Sequence, residues 1–140
     1  ALILRTNFYG RGAPGRPSFS DWVLDGLRAG RELTMFTDVF YTPIALAPLC
    51  RTIMEVAATG ATGLLHVCGL ERVSKYQLGQ ALARAFGLPE NLLKQGKFGD
   101  VELFAPRPRE MSMATDRVAK LLGHPMPDTA ASIESLSHEN

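Results

Sequence analysis

Three segments of this 140-residue chain combine side chains that could hold a ligand. Asn7 and Phe8 follow a short apolar run and offer amide donors, an acceptor and a flat apolar ring. Thr42 offers a hydroxyl group beside Pro43, which fixes the backbone. Arg107 stands between two prolines that hold it on a stiff, extended backbone, and a guanidinium group suits bidentate contact to phosphate. These residue types indicate ligand binding, with phosphate as the group that suits Arg107.

Each segment also has a structural interpretation that the residues alone leave open. Asn7 can serve as a turn residue next to aromatic rings of the core. Thr42 can cap the helix that follows it. Arg107 can belong to a solvated basic turn.

Signatures of other common sites are absent from the sequence. The glycines at 10, 12 and 15 lie in a proline-containing loop, so they do not form the strand-to-helix turn that binds dinucleotides. No cysteine or histidine pair has the spacing of metal ligands, so we predict no metal site. Cys50 and Cys68 are predicted to act as small apolar side chains.

The strands that position these segments are predicted from short apolar runs. Residues 2–5 and 64–68 are typical of buried parallel strands, and residues 32–36 form a shorter candidate. A further edge strand is predicted over 101–104, whereas 94–100 is predicted to be a loop. A parallel strand needs neighbours on both edges, and the chain opens directly on one. We therefore expect the C-terminal part of a larger protein, whose other strands flank these two.

Helices are predicted where apolar side chains recur at helical spacing. Ser18 is the expected N-cap of the first helix, and Ser74 with Gln77 has the spacing of a capping box. The predicted helices cover residues 19–29, 46–58, 75–86, 116–122 and 130–136, with a short helical turn over 89–93.

Composition describes one ordinary domain and excludes several partners. Hydrophobic residues make up 46% and charged residues 21%, and the formal net charge is +1. This balance predicts neither a nucleic acid nor an anionic membrane as partner. No apolar run approaches the roughly 20 residues of a membrane span. Two cysteines make a poor disulfide framework, which favours a reducing compartment and a cytoplasmic location.

Five segments, in this order, resemble the dTDP-4-dehydrorhamnose reductase family of the extended short-chain dehydrogenase/reductase superfamily. The matching segments are LRTNFYG at 4–10, F-x-D with a following TP at 36–43, GLLHVCG at 63–69, RVSKYQLGQALARAFGL at 72–88 and RPREMSMATDRVAKLLG at 107–123. Met113 stands where the family usually has leucine.

The resemblance implies an α/β fold in which late parallel strands of an NAD(P)-binding Rossmann-type sheet lead into a mainly helical substrate lobe. Residues 1–140 would form a single C-terminal substrate-binding portion. Residues 1–12 would be a late Rossmann strand and its loop, and residues 13–140 the helical lobe with short strands. The N-terminal cofactor half would be absent.

The family reduces a 4-keto sugar nucleotide with NADP or NAD, and this implies roles for the residues singled out above. Asn7 and Phe8 would lie near the nicotinamide, with Asn7 also near the sugar. Thr42 and Pro43 would line the substrate cleft, and Arg107 would approach the phosphates. The expected partners are a sugar nucleotide, the missing N-terminal half and, in a possible homodimer, a second copy.

The family's catalytic Tyr-x-x-x-Lys pair has no counterpart in this sequence. The tyrosines at 9, 41 and 76 are followed four residues later by Ala13, Ala45 and Gln80. We therefore expect no catalytic residue, no tightly bound cofactor and no reductase activity in this chain alone.

Two other functions stay open at this point. The chain could be a non-catalytic regulatory or partner-binding module, like the regulatory subunit of methionine adenosyltransferase, which belongs to the same superfamily. It could also be a self-contained α+β domain without a ligand.

Overall fold

The computed structural model describes residues 1–102 and 105–139. The strands in these residues are β1 (Leu2–Arg5), β2 (Phe8–Tyr9), β3 (Leu33–Phe36), β4 (Phe40–Tyr41), β5 (Ile44–Ala45), β6 (Gly63–His66), β7 (Val73–Ser74), β8 (Leu93–Gly96) and β9 (Glu110–Met111). The α-helices are α1 (Phe19–Arg28), α2 (Leu46–Ala58), α3 (Lys75–Ala85), α4 (Asp116–Leu122) and α5 (Thr129–Ser137). The chain divides into two compact units. The first contains Ala1–Tyr9, Thr42–Arg72 and Met113–Asn140, and the second contains Gly10–Tyr41 and Val73–Ser112.

The first unit is built on short parallel pairings. β1 pairs in parallel with β6, so that Leu2 lies opposite Gly63 and Arg5 lies opposite His66. β2 pairs in parallel with β5. Helices α2, α4 and α5 cover these strands, and the buried side chains form one apolar cluster of Ile44, Leu49, Val56, Leu65, Val67, Val118 and Met126. The two strands predicted at 2–5 and 64–68 thus pair with each other.

The second unit combines helices α1 and α3 with parallel and mixed strand pairs. β3 pairs in parallel with β8, while β4 lies between antiparallel β7 and parallel β9. α3 packs directly on β3 at Gly79, where a Cβ atom would clash with the sulfur of Met35. A larger residue at this position would require the buried end of the Met35 side chain to shift.

Both predicted helix caps are confirmed. Ser18 Oγ accepts a hydrogen bond from the Asp21 backbone N–H at 3.1 Å, and the Asp21 carboxylate accepts one from the Ser18 backbone N–H at 2.9 Å. Ser74 and Gln77 make the same reciprocal pair at 3.0 and 2.8 Å. These local bonds satisfy N–H groups that a helix end leaves without partners.

The prediction of a loop over 94–100 is wrong for its first part. Residues 93–96 form β8, although Lys94, Gln95 and Gly96 show no apolar alternation. Pairing with β3 satisfies this backbone, so the strand depends on its neighbour rather than on its own side chains. Of the edge strand predicted over 101–104, residues 103 and 104 lie outside the described residues, and Val101 and Glu102 are not in a strand.

None of the helices in the described part of the chain has the length and apolar character needed to cross a lipid bilayer.

Candidate functional site

The side-chain amide of Asn7 is held in one orientation by Thr42. Asn7 Oδ1 accepts hydrogen bonds from the Thr42 backbone N–H at 3.2 Å and from the Thr42 hydroxyl at 3.1 Å. A backbone N–H can only donate, so the amide oxygen must face Thr42. The Asn7 Nδ2 group makes no hydrogen bond within residues 1–102 and 105–139, and its two N–H donors are available to a ligand.

Thr42 and Pro43 are buried, and they connect three segments of the first unit. Thr42 is 3% exposed, and its hydroxyl accepts from the Met113 backbone N–H at 3.2 Å while it donates to Asn7. The carbonyl oxygen of Pro43 lies so close to Gly69 that a Cβ atom there would clash with it. The structure therefore brings Asn7 and Thr42 together, with Thr42 positioning the amide. That Thr42 and Pro43 line a substrate cleft stays a prediction.

The β2 strand separates the two aromatic side chains that follow Asn7. Phe8 is 61% exposed, whereas Tyr9 is buried in the first unit and burial raises the pKa of its phenol to about 12. Opposite faces of a strand explain this difference. The exposed ring of Phe8 is a flat apolar surface that suits contact with another ring.

Cys68 lies beside this polar cluster and is fully buried. Its Sγ atom lies 3.8 Å from the carbonyl oxygen of Met113, and burial raises the pKa of the Cys68 thiol. A protonated thiol is a poor nucleophile, and the buried environment of Cys68 agrees with the prediction of a small apolar side chain.

Arg107 lies in the second unit, on the wall of a cavity of about 390 Å³. Volumes of this size are typical of small-molecule sites. The cavity is lined by Phe36, Val39, Lys75, Phe98, Arg107, Pro108 and Met111. The rings of Phe36 and Phe98 meet edge to face with centroids 5.6 Å apart, which gives the cavity a rigid apolar wall.

The two arginines on either side of Pro108 have different surroundings. Arg109 lies 3.8 Å from the carboxylate of Asp38, and its guanidinium carbon is 5.0 Å from the centroid of the Phe98 ring. Arg107 forms no ion pair with any residue that the structure describes. The charge of Arg107 is therefore available to a ligand, whereas the charge of Arg109 is paired with the Asp38 carboxylate.

Lys75 is a cavity residue that the sequence analysis missed. Its ammonium nitrogen lies 3.7 Å from the centroid of the Tyr41 ring and 4.9 Å from that of Phe19. Burial lowers the pKa of Lys75. One signal was present in the sequence: a lysine directly after the Ser74 cap places a cation at the positive end of a helix.

No group of three or more His, Cys, Asp or Glu side chains in the described ranges could hold a metal ion.

The fold is the α/β fold of the extended short-chain dehydrogenase/reductase enzymes. The dTDP-4-dehydrorhamnose reductase from Bacillus anthracis, solved in complex with NADP, superposes with a TM-score of 0.87 at 19% identity, covering 99% of this chain and 48% of that chain. A hypothetical dTDP-4-dehydrorhamnose reductase from Sulfolobus tokodaii superposes with a TM-score of 0.73 at 28% identity, covering 90% of this chain and 43% of that chain.

The chain belongs to the RmlD substrate binding domain family, whose model matches residues 1–139. It is 30% identical over 142 aligned residues to the probable low-salt glycan biosynthesis reductase Agl14 of Haloferax volcanii, a match that covers 96% of this chain and 47% of the relative. The chain thus spans about half the length of this relative. The expected family and fold class are confirmed.

Proposed function

We propose that the chain is the substrate-binding part of an NAD(P)-dependent reductase that acts on a 4-keto sugar nucleotide. The observation that carries this proposal is Arg107, a cation without an ion-pair partner among the described residues, on the wall of an apolar cavity of about 390 Å³. Arg107 binds the phosphates of the sugar nucleotide, since a guanidinium group matches phosphate oxygens in charge and geometry. The cytoplasmic location and the single substrate-binding portion over residues 1–140 belong to the same proposal.

The residues of the first unit take the remaining roles. Asn7 presents two amide donors, which suit a sugar oxygen or the nicotinamide carboxamide, and Thr42 holds that amide in place. The exposed Phe8 ring suits contact with the nicotinamide ring. Pro43 keeps the backbone next to Thr42 fixed, and these two buried residues form the inner layer of the cleft wall that carries Asn7. These contacts are compatible with a nicotinamide cofactor, which supplies hydride when bound.

Binding by the chain itself tests the phosphate role of Arg107. Calorimetric titration with dTDP and with thymidine should show tighter binding of dTDP. Arg107→Met should reduce that difference markedly, because methionine keeps the aliphatic length and loses the charge. Arg31→Met, which changes an exposed arginine of the same unit, is the matched control. Equal affinities for dTDP and thymidine would contradict the proposal.

The mass of the native polypeptide tests the reductase part of the proposal. An antibody against residues 72–88 should detect a polypeptide roughly twice the mass of this chain, as two typical domains would give. That polypeptide should oxidise NADPH with a 4-keto sugar nucleotide, and the 140-residue chain alone should not. A native mass equal to that of this chain would contradict the reductase proposal.

A further inference from the structure

Lys75 occupies a position that disfavours a positive charge. It is the first residue of α3, and the first turn of this helix contains no acidic residue. A cation at this end of a helix interacts unfavourably with the aligned peptide dipoles. The side chain is also half-buried, and desolvation disfavours its charged form. Residues that break local rules in this way concentrate at functional sites.

The surroundings of Lys75 hold the ammonium group in place without neutralising it. The rings of Tyr41 and Phe19 lie under it at 3.7 and 4.9 Å. The backbone N–H of Lys75 also donates to the Val39 carbonyl at 3.0 Å, and Val39 is itself a wall of the cavity. Cation–π contacts fix the position of a cation but leave its net charge intact. Within the described ranges, Lys75 forms no ion pair with a carboxylate.

Two uncompensated cations therefore line one cavity. Lys75 and Arg107 both lie on its wall, and the other lining residues that the structure describes are apolar. Asp38 is the nearby acid. Its carboxylate forms an ion pair with Arg109 and accepts a hydrogen bond from the Phe98 backbone N–H at 2.9 Å. Since the described lining residues include two cations and no acid, an anionic ligand would balance the charge of this cavity. An ammonium and a guanidinium on one wall suit a ligand with two adjacent phosphate groups.

We propose that Lys75 is a further ligand-binding residue, which together with Arg107 receives the diphosphate of a nucleotide in this cavity. The inference rests on the proposed function, because it identifies the second cation of the same phosphate site. The aromatic rings under Lys75 hold the ammonium in its binding position before the ligand arrives. Little side-chain entropy is then lost on binding.

Titration with two probes tests the inference separately from the proposed function. The 140-residue chain is titrated by calorimetry with dTDP and with inorganic pyrophosphate, at low salt, as wild type and as Lys75→Met and Lys75→Arg. Lys75→Met should weaken the binding of both probes by about 10- to 100-fold, since a hydrogen bond to a charged group is lost. Lys75→Arg should restore most of the affinity. Lys120→Met, an exposed lysine of α4, should change neither.

The outcomes distinguish the role of Lys75 from the proposed function. If Lys75→Met binds dTDP and pyrophosphate as tightly as wild type, the inference is overturned and the proposed function stands. If wild type binds pyrophosphate through Lys75 but does not bind dTDP, the anion site stands and the proposed function fails. If wild type binds neither probe, both are overturned. The thermal unfolding temperature of Lys75→Met should equal or exceed that of wild type, and Lys75→Gln serves as the second charge-removing variant.

Discussion

The hydroxyl of Thr42 donates to Asn7 Oδ1 at 3.1 Å and accepts from the backbone N–H of Met113 at 3.2 Å. The buried Thr42 side chain thus contacts Asn7, which lies 35 positions before it in the sequence, and Met113, which lies 71 positions after it. The hydroxyl uses its one donor and accepts one hydrogen bond within the first unit. Thr42 thus fixes the orientation of the Asn7 amide, whose nitrogen makes no hydrogen bond within the described residues.

Thr42→Val should destabilise the first unit. Valine keeps the shape of threonine but leaves the Met113 N–H without its acceptor and Asn7 Oδ1 with one donor fewer. The expected loss in the free energy of unfolding is about 2 kcal/mol, measured by urea denaturation. Thr34→Val, at an exposed position of β3, is the control and should change stability by less than about 0.5 kcal/mol. A loss no larger than that of the control would contradict the role assigned to Thr42.

Asn7→Asp should weaken ligand binding without destabilising the fold. The aspartate carboxylate still accepts hydrogen bonds from Thr42, so the free energy of unfolding should not change. Asn7→Ala should lower it by about 1–2 kcal/mol. The aspartate has no amide donor for the sugar. Asn7→Asp should therefore lower the affinity for dTDP-glucose about tenfold or more relative to its effect on the affinity for dTDP. Calorimetry measures both affinities. Asn91→Asp makes the same charge change at an exposed position, and a similar weakening there would rule out a specific contact by Asn7.

The local parts of the fold could be predicted from the sequence because they depend on neighbours along the chain. Ser18 and Ser74 cap their helices through residues three positions away. The apolar spacing of 46–58 likewise gives the bounds of α2 that the structure shows. The caps join groups within one helical turn, and the apolar spacing of α2 can be recognised without knowing which elements it packs against.

The contacts that build the site could not be predicted in this way. Asn7 meets Thr42 because β2 pairs with β5, and strands of two residues carry no periodic pattern. Lys75 reaches the cavity because β4 and β7 are paired, which places Tyr41 opposite Val73. Helix periodicity alone treats Lys75 as a surface position.

The two cysteines should differ sharply in reactivity. Cys50 is exposed, whereas Cys68 is buried and burial raises the pKa of its thiol. A disulfide reagent at pH 8 should therefore modify Cys50 rapidly and Cys68 only after unfolding, because the thiolate is the reacting species. Absorbance of the released thiol measures both rates. Cys50→Ser should remove the fast phase, and rapid modification of two thiols in the native wild type would contradict the burial of Cys68.

His124 should make stability depend on pH with a defined sign. Its Nε2 lies 2.6 Å from the Glu55 carboxylate and its Nδ1 lies 3.0 Å from the Pro125 carbonyl, so both ring nitrogens face acceptors. These hydrogen bonds, that to Glu55 first, raise the pKa of His124. The stabilisation is fully present below the unfolded-state pKa of about 6.5 and is lost as pH rises through the higher folded-state pKa. His124→Gln should therefore lower the thermal unfolding temperature at pH 5.5 and have little effect at pH 9. His138→Gln, at an exposed position of the same unit, should lower it at neither pH. An equal decrease for His124→Gln at both pH values would show that protonation of this ring does not stabilise the fold.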